Sequence, residues 1–123
     1  MVMKRGPLRV LIVEDEGIVE MMMEEMVRHL GCTVVASSRT LDSGVAMAES
    51  EQVDFALLDF DLGGGADALP IAEALEERGI PFVFVTAHAL DVLRDTHPHV
   101  PVLVKPLQLG QLERVMPLPR TVH

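Results

Sequence analysis

The 123-residue chain is 49% hydrophobic, which suffices for one compact domain with its own core and is too short for two ordinary ones. Ten Lys and Arg against 19 Asp and Glu leave a net charge of -9, which repels phosphate backbones and anionic lipid surfaces. Four Phe with no Trp or Tyr leave almost no stacking platform for bases or sugars, so nucleic-acid and carbohydrate readings weaken and a protein partner is favoured.

MVMKRGP (1–7) carries Lys4 and Arg5 but no apolar stretch of leader type follows, so it reads as a flexible N-terminus. LRVLIV (8–13) is the near-continuous apolar run that a parallel strand covered on both faces requires. EGIVEMMMEEMVRHL (16–30) places apolar residues at 18, 19, 22, 23, 26, 27 and 30, a helical stripe that Gly31 ends. Met21, Met22 and Met23 cannot all face one core, so this helix, with Met26, presents a soft surface for a partner or a second copy; Glu24 and Glu25 read as solvated. CTVVAS (32–37) is a strand opening on the single cysteine, Cys32, read as a small buried hydrophobe. No intramolecular disulfide is possible, and a reducing, cytoplasmic compartment is the expectation. LDSGVAMAESE (41–51) is a helix weakened by Gly44.

VDFALLD (53–59) is the third strand, and beyond GGG (63–65) Asp67 is expected to cap a helix running to about Arg78, with Pro70 in its first turn and Gly79 at its end. PFVFVT (81–86) is a strand, a short helix follows near 89–96, PVLV (101–104) is the fifth strand and LQLGQLERVM (107–116) the fifth helix. Pro98 leaves the fourth helix little room, and His97 and His99 on either side of it read as exposed loop residues. No stretch reaches the ~20 apolar residues of a membrane span. Five runs alternating with five helical segments imply βαβ units, hence an α/β fold: a doubly wound five-stranded parallel sheet with helices on both faces and a short fourth helix. Residues 8–116 form the expected domain, with 117–123 a tail too short for a DNA-binding or enzymatic output domain.

In such sheets ligands bind outside the carboxyl ends of the strands. Those ends carry Glu14 and Asp15, then Asp59 and Asp61, then Thr86, then Lys105. Clustered carboxylates are costly unless a cation sits among them, and a hard oxygen set suits Mg²⁺. A nucleophilic carboxylate, a divalent ion, a hydroxyl and an ammonium are what phosphoryl transfer to a carboxylate needs, since charge spreads over three equatorial oxygens. Gly63, Gly64 and Gly65 then read as cleared space beside the acceptor.

LRVLIVEDE, LLDFDLGGG, FVFVTAH and VLVKPL, in this order over nearly the whole chain, resemble the receiver domains of bacterial two-component response regulators. The resemblance implies a flavodoxin-like receiver fold with strand order 2-1-3-4-5. It further implies phosphorylation of Asp59 by a histidine kinase or histidine phosphotransfer protein, with Mg²⁺ held by Glu14, Asp15, Asp59 and the backbone carbonyl of Asp61. Thr86 and Lys105 would contact the phosphoryl oxygens, and the Lys105–Pro106 peptide would be cis. The family often has an aromatic residue where Val102 stands, three before the lysine, so at that position this chain departs from the family and the resemblance implies no aromatic switch there. Signalling would run through contact with a downstream protein or by acting as a phosphate sink.

Two rival readings stay open. DFDLG also resembles the first motif of haloacid-dehalogenase-type phosphatases, with Asp59 as nucleophile and Asp61 as general acid. Against it, the motif lies on the third strand, Glu14 and Asp15 precede it, and only Glu113 is acidic after Lys105. The other rival is a receiver-like binding module that works without phosphorylation; Val102 and the short fourth helix favour it, and the intact acid, hydroxyl and lysine set opposes it.

Overall fold

A computed structural model describes residues 6–88 and 91–118, with Val92 described by its backbone alone. Strands β1 (Arg9–Val13), β2 (Thr33–Ser38), β3 (Phe55–Asp59), β4 (Phe82–Thr86) and β5 (Val102–Val104) alternate with helices α1 (Gly17–His29), α2 (Leu41–Ser50), α3 (Leu69–Glu77), α4 (Asp91–Thr96) and α5 (Leu109–Val115). The sheet is all parallel in the order β2-β1-β3-β4-β5, as the α/β doubly wound reading and its family resemblance imply. Burial enforces it: β3 and β4 are buried at every residue, so each face needs a helical cover. Successive side chains alternate between two cores. Leu11, Val13, Ala56, Leu58 and Phe84 pack with Ile71, Leu75 and Leu93 on one face. Val10, Ile12, Leu57, Val83 and Val85 pack with Met23, Val27 and Leu112 on the other. Cys32 is buried, as read from the sequence.

Helix α1 departs from its predicted stripe. Ile18 is 78% exposed and Met22 49%, whereas Glu20 is buried beside Met23 and Val27. The rotation has a polar cause: the Ser37 hydroxyl donates to Glu20 Oε2 at 2.7 Å, tying α1 to β2. Glu24 is likewise no plain solvated residue, since it pairs with Arg28 at 2.7 Å and its carboxyl is pushed up by a hydrogen bond with Glu20, then by burial.

Other boundaries shift for local reasons. Helix α3 starts at Leu69 rather than at an Asp67 cap, because Asp67 is drawn into an antiparallel bridge with Asp61; its Oδ1 still accepts the Leu69 amide at 3.0 Å. Gln108 and Gln111 cap each other and delay α5 to Leu109. The fourth helix is short, as predicted, though the expected start at 89–90 lies outside the described residues. The Lys105–Pro106 peptide is cis. At the far end of α2, Arg78 Nη1 donates to the carbonyls of Ala48 and Glu51 at 2.8 and 2.9 Å, satisfying groups the helix leaves orphaned.

Gly44 is a packing residue, not only a weak helix former. A Cβ there would lie 2.6 Å from Ile71 Cδ1 and 3.3 Å from its Cγ1, where α2 meets α3. Gly44→Val is expected to cost about 1–3 kcal/mol through overpacking, outweighing any gain in helix propensity. A lower urea midpoint reports it; a midpoint at or above that of the wild type contradicts the close approach.

Candidate functional site

Because the sheet is parallel, every strand delivers its carboxyl end to one edge. Glu14 follows β1, Asp59 ends β3, Thr86 ends β4 and Lys105 follows β5. Backbone bonds lock these ends together: the Glu14 amide donates to Ser38 O at 3.0 Å, Phe60 to Val85 O at 2.9 Å and Lys105 to Thr86 O at 2.7 Å. Glu14, Asp59 and Thr86 are buried, and Thr86 Oγ1 accepts the His88 amide at 3.2 Å. A crevice of about 460 Å³ opens over them, lined by Asp15, Asp59, Asp61, Thr86 and Lys105, with Phe60 and His88 at its wall.

The charges meet there. Lys105 Nζ lies 2.7 Å from Glu14 Oε1 and 3.5 Å from Asp59 Oδ1. One oxygen each of Glu14, Asp15 and Asp59 lie within 4.8 Å of one another, the one such group of metal-capable side chains among the described residues. Burial above all, then hydrogen bonds with Glu14 and Asp15 and repulsion from Glu14, push the Asp59 carboxyl up to about 9, with Lys105 pulling the other way. Burial would raise the Asp15 carboxyl too, but hydrogen bonds from Asp59, Glu14 and its own backbone, with Lys105 nearby, hold it below its ordinary value. Burial works against the Lys105 ammonium, yet Glu14 and Asp59 more than compensate and raise it.

A divalent cation fits this set. Glu14 Oε1 is fully buried and finds no partner of hydrogen-bond geometry, its contact with Lys105 being an ion pair alone. Three carboxylates crowded around one point, one of them forced towards its protonated form, form an oxygen site short of positive charge. Asp61 is placed differently: it lines the crevice outside the three-carboxylate group, and its Oδ1 accepts the Gly63 amide at 3.0 Å.

Gly63, Gly64 and Gly65 all have positive φ, of 82°, 58° and 82°, but only at Gly63 would a Cβ meet the site, 3.3 Å from Asp15 Oδ2. A Cβ at Gly64 or Gly65 would meet no protein atom within 4 Å, and Gly65 lines the crevice with Gly63, so the loop leaves open space there while its positive φ values serve the turn. Gly63→Val is expected to lower Mg²⁺ affinity by roughly tenfold, by straining the turn and displacing Asp15. Unchanged affinity in a metal titration would remove Gly63 from the site.

Of the two histidines read as exposed, one is and one is not. His99 is exposed, but the His97 side chain is only 15% exposed, with Nε2 3.6 Å from Glu76 Oε1 and its ring edge-on to Phe84. An H-P-H triplet carries no local signal that its first member turns inward. Val102 pairs with Phe84 across β4 and β5, so no aromatic side chain occupies that position.

Residues 10–115 match the family described as response regulator receiver domain. The transcriptional regulatory protein PdtaR of Mycobacterium tuberculosis is 31% identical over 112 residues, covering 86% of this chain and 53% of the relative, so the chain spans about half the length of the curated relatives it matches. Among solved structures, SdrG from Sphingomonas melonis Fr1 aligns with a TM-score of 0.75 at 35% identity, covering 91% of this chain and 95% of that one. The response regulator PhyR from Brucella abortus aligns with a TM-score of 0.78 at 31% identity, covering 89% of this chain and 46% of that one. No helix among the described residues is long and apolar enough to cross a membrane.

Proposed function

The chain belongs to the response regulator receiver domain family, and from that premise we propose that it accepts a phosphoryl group on Asp59 from a histidine kinase or histidine phosphotransfer protein. Mg²⁺ is assigned to Glu14, Asp15, Asp59 and the backbone carbonyl of Asp61. The observation that carries this reading is the convergence of Asp59 with two further carboxylates and the Lys105 ammonium at one strand edge.

The roles follow from chemistry. An Asp59 carboxylate oxygen forms the new P–O bond while the donor's P–N bond breaks, the electron pair leaving with the donor nitrogen. When bound, the cation supplies charge neutralisation, holding Asp59 ionised and drawing charge from the transferring oxygens. Lys105 offers its ammonium and Thr86 its hydroxyl to the remaining phosphoryl oxygens. The new charge draws both groups inward and shifts a two-state equilibrium of the neighbouring surface, which a downstream protein reads. Ile18, Met21 and Met22 support a protein donor, being exposed on α1 directly after Asp15 and Glu16 at the crevice rim. The lone Cys32 is in keeping with a cytoplasmic setting.

Acetyl phosphate with Mg²⁺ tests the assignment. A stoichiometric, hydroxylamine-labile adduct is expected. Steady release of phosphate would point instead to a phosphatase of the haloacid-dehalogenase type, and no reaction at all to a phosphorylation-independent module.

A further inference from the structure

We propose that the state of Asp59 is relayed through the rings of Phe60 and Phe84 to His97, making the His97–Glu76 pair an output element of this chain. The inference rests on Asp59 being the phosphoacceptor. Three of the four phenylalanines and His97 form one unbroken series of edge-to-face contacts. Phe60 and Phe84 lie 5.7 Å apart at 81°, Phe82 and Phe84 5.4 Å apart at 79°, and Phe84 and His97 5.6 Å apart at 86°.

Both ends of the series are placed for a relay. Phe60 is bonded to Asp59, is half-buried and lines the crevice, so its ring responds directly to what occupies the acceptor. Phe84 is fully buried and stands two residues before Thr86, on the same face of β4. A Thr86 drawn towards a charged Asp59 therefore moves along the face Phe84 shares. His97 follows α4, its amide donating to Leu93 O at 2.8 Å. Its Nδ1 lies 2.9 Å from Thr96 Oγ1 and its Nε2 3.6 Å from Glu76 Oε1, with the exposed His99 4.0 Å from the other oxygen of Glu76. The pair thus joins the end of α4 to α3 at the surface.

Close-packed interiors transmit displacement rather than absorb it, and edge-to-face pairs depend on ring orientation. A shift of Phe60 or Phe84 consequently alters the surroundings of the His97 ring and its hold on Glu76. Val102 makes this route matter. Opposite Phe84 on β5 there is no ring to swing, so the aromatic groups able to report on the acceptor are those of β3's end and β4.

The test is proton and fluorine NMR on the full chain with Mg²⁺ and beryllofluoride, a phosphoryl mimic. The His97 ring resonances are expected to move as bound-fluoride resonances appear, while those of His29, on α1, stay in place. Phe84→Leu is expected to abolish the His97 shift while keeping the bound-fluoride resonances. Glu76→Gln, a surface change outside the crevice lining, is expected by reciprocity to alter the apparent beryllofluoride affinity by about fivefold. A stationary His97 in saturated wild-type protein, a shift that survives Phe84→Leu, or an unchanged affinity in Glu76→Gln overturns the relay and leaves Asp59 as acceptor. Absence of bound-fluoride resonances in the wild type overturns the acceptor assignment and the relay with it.

Discussion

Asp59→Asn is expected to reduce phosphoryl incorporation from acetyl phosphate and Mg²⁺ to background. The substitution keeps size and shape but replaces the nucleophilic oxygen by an amide, while Glu14, Asp15, Thr86 and Lys105 remain to bind the reagent. The loss is therefore chemical rather than a failure to assemble the crevice, and circular dichroism of the variant should match the wild type. Asp61 separates the receiver from the phosphatase reading. Its side chain is already committed to the Gly63 amide, and Asn retains the oxygen that accepts it, so Asp61→Asn is expected to keep the adduct. Were Asp61 a general acid, that variant would lose turnover instead. Incorporation of label into Asp59→Asn at the wild-type level would place the acceptor elsewhere.

The crevice was legible in the sequence because apolar runs that stop abruptly in Glu14, Asp59, Thr86 and Lys105 locate strand ends, and a parallel sheet brings strand ends together without further information. What stayed hidden depends on partners distant along the chain. Glu20 is buried because Ser37, 17 residues on, supplies a donor, a pairing no helical periodicity contains. His97 turns inward because Phe84 and Glu76 wait there, and α3 begins only at Leu69, with Asp67 bridging Asp61 while its side chain still accepts the first helical amide. Gly44 and Gly63 show the same limit from the side of volume. Gly44 reads as a local weakness and Gly63 as cleared space, and only the fold reveals the atoms a side chain would strike, Ile71 in one case and Asp15 in the other.

Metal-free protein is expected to lose stability as pH rises from about 5 to about 9, and Mg²⁺ to restore it increasingly over the same range. The folded Asp59 carboxyl is pushed up to about 9 from an ordinary 3.8, chiefly by burial and then by Glu14 and Asp15. Between those values the folded state holds a proton that the unfolded state has released, so its contribution is complete below the lower value and vanishes as pH passes the upper one. One such proton is worth up to about 1.4 kcal/mol per pH unit, so the expected fall in metal-free Tm is on the order of 10 °C. The lowered Asp15 works with the opposite sign, but only at the acid end, below the ordinary carboxylate value. Mg²⁺ binds the ionised cluster of the folded state and not the unfolded chain, so its stabilisation competes with the Asp59 proton and grows with pH. Asp59→Asn has no proton to lose at this position. Its metal-free Tm should lie above that of the wild type at pH 8 and vary much less across the range, which assigns the effect to Asp59. Thermal scans in EDTA and in Mg²⁺ decide the matter: a wild-type metal-free Tm that is flat or rising between pH 5 and 9, or a Mg²⁺ effect independent of pH, would show that the carboxylates do not share one charge-starved site.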